Sequence, residues 1–200
     1  MRIYHNQLTS TLNQGLKPIW LVFGDEPWQK NNSLKTIKQH AKQQGFSEVI
    51  RFTADDKFDW SQVLNEYQAM SLFASQRIIE IECMTGKIGD QGSKAVLSLL
   101  DHLHQDVLLI FHGPKLDGPT TNRKWFKSLS QQGCYLPLYD IEANKLPYWI
   151  NQQAAQRSLN LAPDVAQFLA ECFEGNLLAL EQELQKLSIL YQQQRITVDM

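Results

Sequence analysis

Apolar and polar positions follow two different periods along the first two thirds of the chain. Residues 19–23 are continuously apolar and end at a polar turn, residues 24–27, which is typical of a strand buried on both faces. From residue 28 apolar positions recur at helical spacing, and residues 49–53 again have a strand pattern. This order predicts a β-α-β unit, whose two strands pair in parallel across a helical crossover.

The same alternation of elements continues to about residue 140. Further strands are predicted at residues 77–83, 107–111 and 134–136, and further helices at residues 59–64, 95–100 and 125–129. Strands that alternate with helices indicate an α/β domain with a mainly parallel sheet.

The pattern changes near Asp140. From Leu146 onward it predicts helices at residues 146–158, 164–173 and 177–191, which fits a small bundle. We therefore place one domain at residues 1–140 and a second at 141–200. The last residues, 195–200, resemble the approach to another helix, so we expect the chain to be a fragment of a longer protein.

Composition narrows the class of protein. The 200 residues are 43% hydrophobic with a net charge of -2, which disfavours a disordered chain and a dedicated nucleic-acid binder. Cys83, Cys134 and Cys172 are widely spread, as expected for reduced thiols. No apolar run approaches the roughly 20 residues of a membrane span. We expect a cytoplasmic protein that does not enter a membrane.

Two glycine-containing turns invite comparison with a phosphate-binding loop. That loop has the order GxxxxGK[ST], whereas residues 24–31 carry Asp25, Glu26 and Pro27 and no Gly-Lys-Ser/Thr. Carboxylates repel phosphate and proline lacks an N–H donor, so an ordinary helix N-terminus is the better interpretation. Residues 86–92 have their Gly-Lys at the wrong end and are interpreted as a surface loop.

No catalytic or metal-binding group of residues is evident. The histidines are interpreted as surface residues, because a metal site would need further converging ligands; they are His5, His40, His102, His104 and His112. The acids Asp55 and Asp56 lie in a polar turn, and no nucleophile signature is present. We expect no cofactor and no metal.

One apolar cluster falls in a connection rather than in an element, at residues 68–75 (QAMSLFAS). Core packing is the default interpretation of such residues. If they were exposed, Met70, Leu72 and Phe73 would form a compact anchor for a pocket on a partner.

These stretches together resemble the delta subunit of the bacterial DNA polymerase III clamp loader over essentially the whole chain. The most specific matches are residues 68–75 and residues 174–180 (EGNLLAL), supported by residues 8–16, 21–27 and 107–110. The resemblance implies an AAA+-like (RecA-like) α/β domain followed by a helical lid, with the C-terminal collar domain of the family absent here.

The resemblance also implies a function without chemistry of its own. Delta-type subunits lack a working phosphate loop, and the Ser-Arg-Cys arginine-finger motif of other loader subunits is absent here. The family's clamp-binding Leu-Phe pair falls on Leu72 and Phe73, with Met70 beside it. By this analogy the pair inserts into a pocket of the sliding clamp, weakens one interface of the ring and lets it open.

The implied partners are the sliding clamp (beta subunit), the gamma/tau and delta prime loader subunits and, through the complex, primer-template DNA. The implied place is the cytoplasmic replisome at the nucleoid, and the implied class is a non-catalytic component of the polymerase holoenzyme. Two alternatives stay open at this point: an ATP-binding P-loop ATPase of the same broad fold, and a direct DNA-binding protein.

Overall fold

The computed structural model describes residues 1–69, 76–101, 103–191 and 194–199. It divides into two compact units. The first contains residues 1–25 and 29–138, and the second contains residues 26–28 and 139–200.

The first unit is built on a five-stranded parallel sheet, as the apolar runs predict. The strand order is β2-β3-β4-β1-β5. The strands are β1 (Ile19–Phe23), β2 (Glu48–Ala54), β3 (Arg77–Cys83), β4 (Val107–Gly113) and β5 (Cys134–Pro137). Every residue of β1 and β4 is buried, because helices cover both faces of a parallel sheet.

Helices connect these strands and bury opposite faces of the sheet. They are α1 (Leu8–Asn13), α2 (Pro27–Gln43), α3 (Ser61–Gln68), α4 (Gly89–Asp101), α5 (Gly118–Thr121) and α6 (Lys124–Gln132). One core joins α3, α4 and α6 to one set of alternate strand residues. A second core joins α1 and α2 to the other set. The short α5 was not predicted from the pattern; it starts at Gly118, and the Asp117 side chain caps it by accepting from the Thr120 N–H.

The second unit is mainly helical. Its helices are α7 (Leu146–Gln156), α8 (Val165–Phe173) and α9 (Leu177–Leu190). Its core includes the inner face of α9, formed by Leu177, Leu180, Leu184 and Leu187. Leu190, which the helical pattern placed on that face, is 60% exposed.

The end of the chain corrects one prediction. The pattern after Leu146 predicted helices alone, but Asn160–Leu161 form a short strand, β6, that pairs in parallel with β7 (Arg195–Ile196). The Ala162 N–H donates to the Ile196 carbonyl at 2.9 Å. Main-chain pairing to a distant segment cannot be predicted from local periodicity. The expectation that residues 195–200 approach another helix stays a prediction.

The glycine-rich residues 86–92 correct a second prediction. They were interpreted as a surface loop, yet α4 begins at Gly89. Gly92 lies inside the helix, where a Cβ atom would come within 2.6 Å of the Trp60 ring. Glycine is therefore present in this helix because a tryptophan packs against its backbone.

Two sequence expectations concern the chain as a whole. The three cysteines are free thiols, with Cys83 and Cys134 buried and Cys172 exposed. Within the described ranges, none of the helices combines the length and apolarity that a bilayer crossing requires.

Candidate functional site

The predicted anchor residues Met70, Leu72 and Phe73 lie outside the described residues. The structure does describe the two ends of the connection that carries them. We call residues 69–77 the α3–β3 connection; it leaves the C-terminus of α3 at Ala69 and enters β3 at Arg77.

The C-terminus of α3 is held by an arginine that follows the anchor residues in the chain. The Arg77 guanidinium donates to the carbonyl oxygens of Glu66 at 2.8 Å and Tyr67 at 3.3 Å, and also to the carbonyl oxygen of Ala69. Its Nη1 lies 3.5 Å from the Glu66 carboxylate. The arginine thus satisfies carbonyls that the end of a helix leaves without partners.

The main chain at the same edge of the sheet is equally well connected. The Arg77 N–H donates to the Asp106 carbonyl at 2.9 Å, and the Gln76 carbonyl accepts from the Ser47 N–H at 3.3 Å. Tyr67 Oη accepts from the His104 N–H at 2.9 Å. Burial raises the pKa of the Tyr67 hydroxyl, and that hydrogen bond only partly offsets the effect. Both ends of the connection therefore begin from fixed backbone.

A second candidate region is the turn after β1, where a nucleotide-binding α/β protein would hold phosphate. Gly24 packs so closely that a Cβ atom would lie 2.4 Å from the Leu138 carbonyl oxygen. Asp25 Oδ1 accepts from the Lys115 N–H at 3.0 Å. Gly24 is therefore required for close packing, and Asp25 holds the loop that contains Lys115.

The start of α2 is occupied by a carboxylate of the chain itself. Glu26 is only 6% exposed, and its Oε1 accepts from the Trp28 N–H at 3.1 Å. A helix N-terminus favours negative charge, and here Glu26 provides it. The geometry agrees with the interpretation of this turn as an ordinary helix N-terminus.

A buried ionic cluster, unrecognised in the sequence, surrounds Glu80 on β3. Lys38 Nζ lies 2.9 Å and 3.0 Å from its two carboxylate oxygens, Arg51 Nε 3.2 Å away and His112 Nε2 3.4 Å away. Burial on its own would raise the pKa of Glu80, but the hydrogen bonds from His112 and Lys38 and their charge lower it to about 2. The cluster ties α2 and β2 to the middle of the sheet.

The position of His112 corrects the expectation that all five histidines lie at the surface. It is 8% exposed and belongs to β4, which extends two residues beyond the predicted strand. The predicted strand stopped before this histidine because it is polar, whereas the strand continues through it with the side chain buried, since the Glu80 carboxylate accepts from its ring Nε2–H.

Two cavities flank the start of α4. One, of about 330 Å³, is lined by Lys87, Asp90, Asp117 and Arg123 among others. The other, of about 400 Å³, is lined partly by Asp55 and Asp56, which are exposed in the turn after β2. The first has two basic and two acidic side chains, and the second has Lys87 beside Asp55, Asp56 and Asp90, so neither has the wholly positive lining that would select a phosphate.

Of the residues that the structure describes, no three histidines, cysteines or carboxylates come together as a possible metal site. The site residues that sequence reasoning missed are Arg77 and Glu80. The available signal was the presence of three charged residues, Arg77, Glu80 and Glu82, in a strand whose other residues are apolar, since buried charges require partners.

Comparisons with known proteins agree with these features. The family model described as "DNA polymerase III, delta subunit" matches residues 20–138. DNA polymerase III subunit delta of Escherichia coli (strain K12) is 35% identical over 198 residues, which are 99% of this chain and 58% of that protein. The Haemophilus influenzae subunit is 32% identical, with 95% and 56% covered. The chain thus spans under three fifths of the length of these relatives.

Solved structures confirm the AAA+-like α/β fold. The Bacillus subtilis DNA clamp loader delta protein (YqeN) has a TM-score of 0.71 at 16% identity, covering 98% of this chain and 60% of that one. The Thermotoga maritima RuvB Holliday junction branch migration motor has a TM-score of 0.55 at 12% identity, with 97% and 64% covered. The replication initiator DnaA, bound to AMPPCP and single-stranded DNA, has a TM-score of 0.55 at 15% identity, with 92% and 60% covered.

Proposed function

The chain belongs to the DNA polymerase III delta-subunit family, and from that premise we propose that it binds the sliding clamp and opens its ring during chromosomal replication. Leu72 and Phe73 are the proposed contact residues, with Met70 beside them. Residues 1–140 are proposed as the clamp-binding domain and residues 141–200 as the helical lid.

The observation that supports this proposal most is the anchoring of the α3–β3 connection. Ala69 and Arg77 are fixed by hydrogen bonds at its two ends, and the intervening sequence carries three large apolar side chains. Burying a Leu or Phe side chain contributes about 1.5–3 kcal/mol. A short apolar segment on a firm base is suited to fill a pocket on another protein.

Ring opening by this route requires only a difference in affinity. A protein that binds the open form of a ring more tightly than the closed form shifts the equilibrium toward opening. Accordingly, no catalytic residue is proposed in this chain, and it acts as a non-catalytic component of the polymerase holoenzyme.

The turn after β1 supports an arrangement in which ATP acts elsewhere. The Glu26 carboxylate already accepts from the main-chain N–H of Trp28, at the start of α2. Because a carboxylate repels phosphate, this contact disfavours the ATPase alternative. We propose that nucleotide acts on the gamma/tau subunits, and that these and the delta prime subunit assemble with the whole protein in the cytoplasmic replisome. Contact with primer-template DNA is proposed to arise mainly in that complex, in line with the net charge of -2.

The proposal is tested by titrating a bacterial sliding clamp with the chain and measuring binding by calorimetry. Leu72→Ala with Phe73→Ala should weaken clamp affinity by about 100-fold or more, because two anchor side chains lose their buried area. The melting temperature should stay close to that of the unmodified chain.

The matched control is Ile189→Ala with Leu190→Ala, an adjacent apolar pair that is 66% and 60% exposed on α9. It should leave clamp affinity unchanged. A large fall in melting temperature for the Leu72/Phe73 variant would instead assign those residues to the core. Detectable ATP binding, or salt-sensitive DNA binding, by the isolated chain would favour one of the two alternatives.

A further inference from the structure

We propose that the outer edge of β2 is a docking site for an extended segment of another protein, in which acidic and apolar residues alternate. The site consists of the outward main-chain groups of β2 and the basic side chains beside them. It goes beyond the proposed clamp contact and involves none of residues 70–75.

β2 is an edge strand of regular geometry. It ends the sheet order β2-β3-β4-β1-β5, and within the described part of the chain it pairs with β3 alone, residue for residue over Glu48–Ala54. It contains no proline and no bulge, which are two features that commonly protect such edges from pairing. A partner strand therefore has a regular edge of seven residues to pair with.

Alternate residues of β2 direct their main-chain groups away from the sheet. The Met84 N–H donates to the Ala54 carbonyl at 3.0 Å, so the main chain of Ala54 faces β3. Successive residues of a strand point their N–H and C=O groups to opposite sides, so Val49, Arg51 and Thr53 present theirs outward. Within the described ranges, none of these outward groups bonds to another main-chain group.

The two faces of β2 differ in their side chains. Arg51, whose side chain is 66% exposed, lies on the face covered by α2, where it contacts the Glu80 carboxylate. Ile50 and Phe52 lie on the opposite face and are half-buried, and Phe52 packs against the core that contains α3 and α4. Since side chains alternate across a strand, an added strand places every second residue beside charged groups and the others beside apolar groups.

The α2 face of this edge carries an excess of positive charge. α2 contains four lysines and no carboxylate, and three of them follow one another at helical spacing on one side of the helix. With the arginine of β2 they form what we call the basic stripe: Lys35, Lys38, Lys42 and Arg51. Against these cations β3 places Glu80 and Glu82, so an acidic residue on the added strand complements the surface. Asp55 and Asp56, which follow β2, confine that surface to the strand itself.

The same charge disfavours a second copy of this chain as the occupant. Two β2 edges related by a two-fold axis pair antiparallel, with their α2 faces on the same side of the joined sheet. That arrangement brings the two basic stripes together, and like charges opposite each other are destabilising. A nucleic acid satisfies the charge but cannot form a ladder with the outward N–H and C=O groups. The observations therefore favour an acidic, extended peptide.

The test is fluorescence anisotropy of a short labelled peptide in which glutamate and valine alternate, titrated with the full chain. We expect saturable binding that weakens as salt is raised, since exposed charges are screened. Lys35→Gln, Lys42→Gln and Arg51→Gln together should weaken binding by about tenfold, because the ion pairs of these exposed cations are lost.

The matched control removes the same charge from α6, which packs against β1 and β5. It combines Arg123→Gln, Lys124→Gln and Lys127→Gln, all at exposed positions, and should leave the affinity for the peptide unchanged. An equal loss in both variants would show attraction to net charge alone and would overturn the proposal.

Main-chain pairing is tested on the peptide itself, so that this result does not depend on the folding of any variant. Two peptides are N-methylated at alternate residues, one at the glutamates and the other at the valines. In one of them the methyl groups replace the N–H groups that face β2, whereas in the other they point to solvent. Their affinities should differ by about tenfold or more, because only one of them loses its hydrogen bonds to the edge.

Other occupants are separated by further outcomes of the same titration. Absence of saturable binding, or equal affinity of the two N-methylated peptides, would overturn the proposal. Dimerisation of the chain that the peptide reverses, measured by sedimentation, would assign the edge to a second copy. A short oligothymidine that binds more tightly than the peptide would assign the basic stripe to nucleic acid, and either result would contradict the proposal.

Discussion

The turn that follows β1 and the α3–β3 connection that leads into β3 each meet a helix end. At the turn, the Glu26 carboxylate satisfies an amide at the start of α2. At the connection, the Arg77 guanidinium satisfies carbonyls at the end of α3. In both places the chain supplies the charge that a helix terminus favours.

The two regions differ in which of their groups could bind a ligand or a partner. At the turn, the Glu26 carboxylate accepts from an amide at a helix N-terminus, the kind of position that binds phosphate in nucleotide-binding proteins. At the connection, the Arg77 guanidinium pairs with the main chain at the end of α3, and the apolar residues that follow in sequence are the proposed anchor. The comparison therefore supports the proposal that the connection binds a partner, and it gives the turn a structural role.

The largest expected effect concerns Glu80, which lies on the strand that follows the α3–β3 connection. Glu80→Gln should destabilise the fold by about 3 kcal/mol, because loss of the buried carboxylate leaves the half-buried Lys38 ammonium without its counter-charge and the His112 ring without its charged acceptor. The third partner, Arg51, is 66% exposed and remains solvated. Clamp affinity of the folded variant should not change, since the ionic partners of Glu80 among the described residues are Lys38, Arg51 and His112, none of which belongs to the α3–β3 connection. Chemical denaturation and clamp titration measure the two effects separately.

The stability difference between Glu80→Gln and the unmodified chain should depend on pH in a defined direction. The pKa of Glu80 is lowered from 4.5 to about 2 in the folded chain. Its stabilising contribution is therefore fully present above about pH 4.5 and is lost as the pH falls toward 2. The difference in unfolding free energy between Glu80→Gln and the unmodified chain should shrink over this range. Glu82→Gln, on the same strand but more exposed, is the control and should show a smaller difference.

A smaller effect is expected at the turn. Gly24→Ala should destabilise the fold by about 1–3 kcal/mol, because the added Cβ would lie 2.4 Å from the Leu138 carbonyl oxygen and force the backbone to shift. Gly118→Ala, where nothing lies within 4 Å of the new Cβ, should be nearly neutral in the same denaturation experiment. If folded Gly24→Ala lost clamp binding, the division of roles between the turn and the connection would be broken.

The parallel sheet could be predicted from the sequence because its strands are continuous apolar runs bounded by polar turns. Residues 77–83 even match β3 at both ends. The β6–β7 pair could not be predicted, because its two short strands are far apart in the chain and carry no period of their own.

The candidate site also could be predicted only in part. Residues 70–75 were recognised from an apolar cluster in a connection, together with family resemblance. The role of Arg77 was not, because its partners are main-chain carbonyls, which have no signature in sequence. The Glu80 cluster joins residues of α2, β2, β3 and β4, so it becomes apparent only when the elements are assembled.

The central claim is that this chain opens the clamp by binding alone, and the most direct measurement follows the clamp interface itself. A clamp labelled with a fluorophore pair across one interface, which is quenched when closed, is titrated with the chain in the absence of nucleotide. The account predicts a saturable rise in fluorescence that ATP does not alter and that Leu72→Ala with Phe73→Ala removes. A rise that requires ATP, or an equal rise with the double variant, would contradict it.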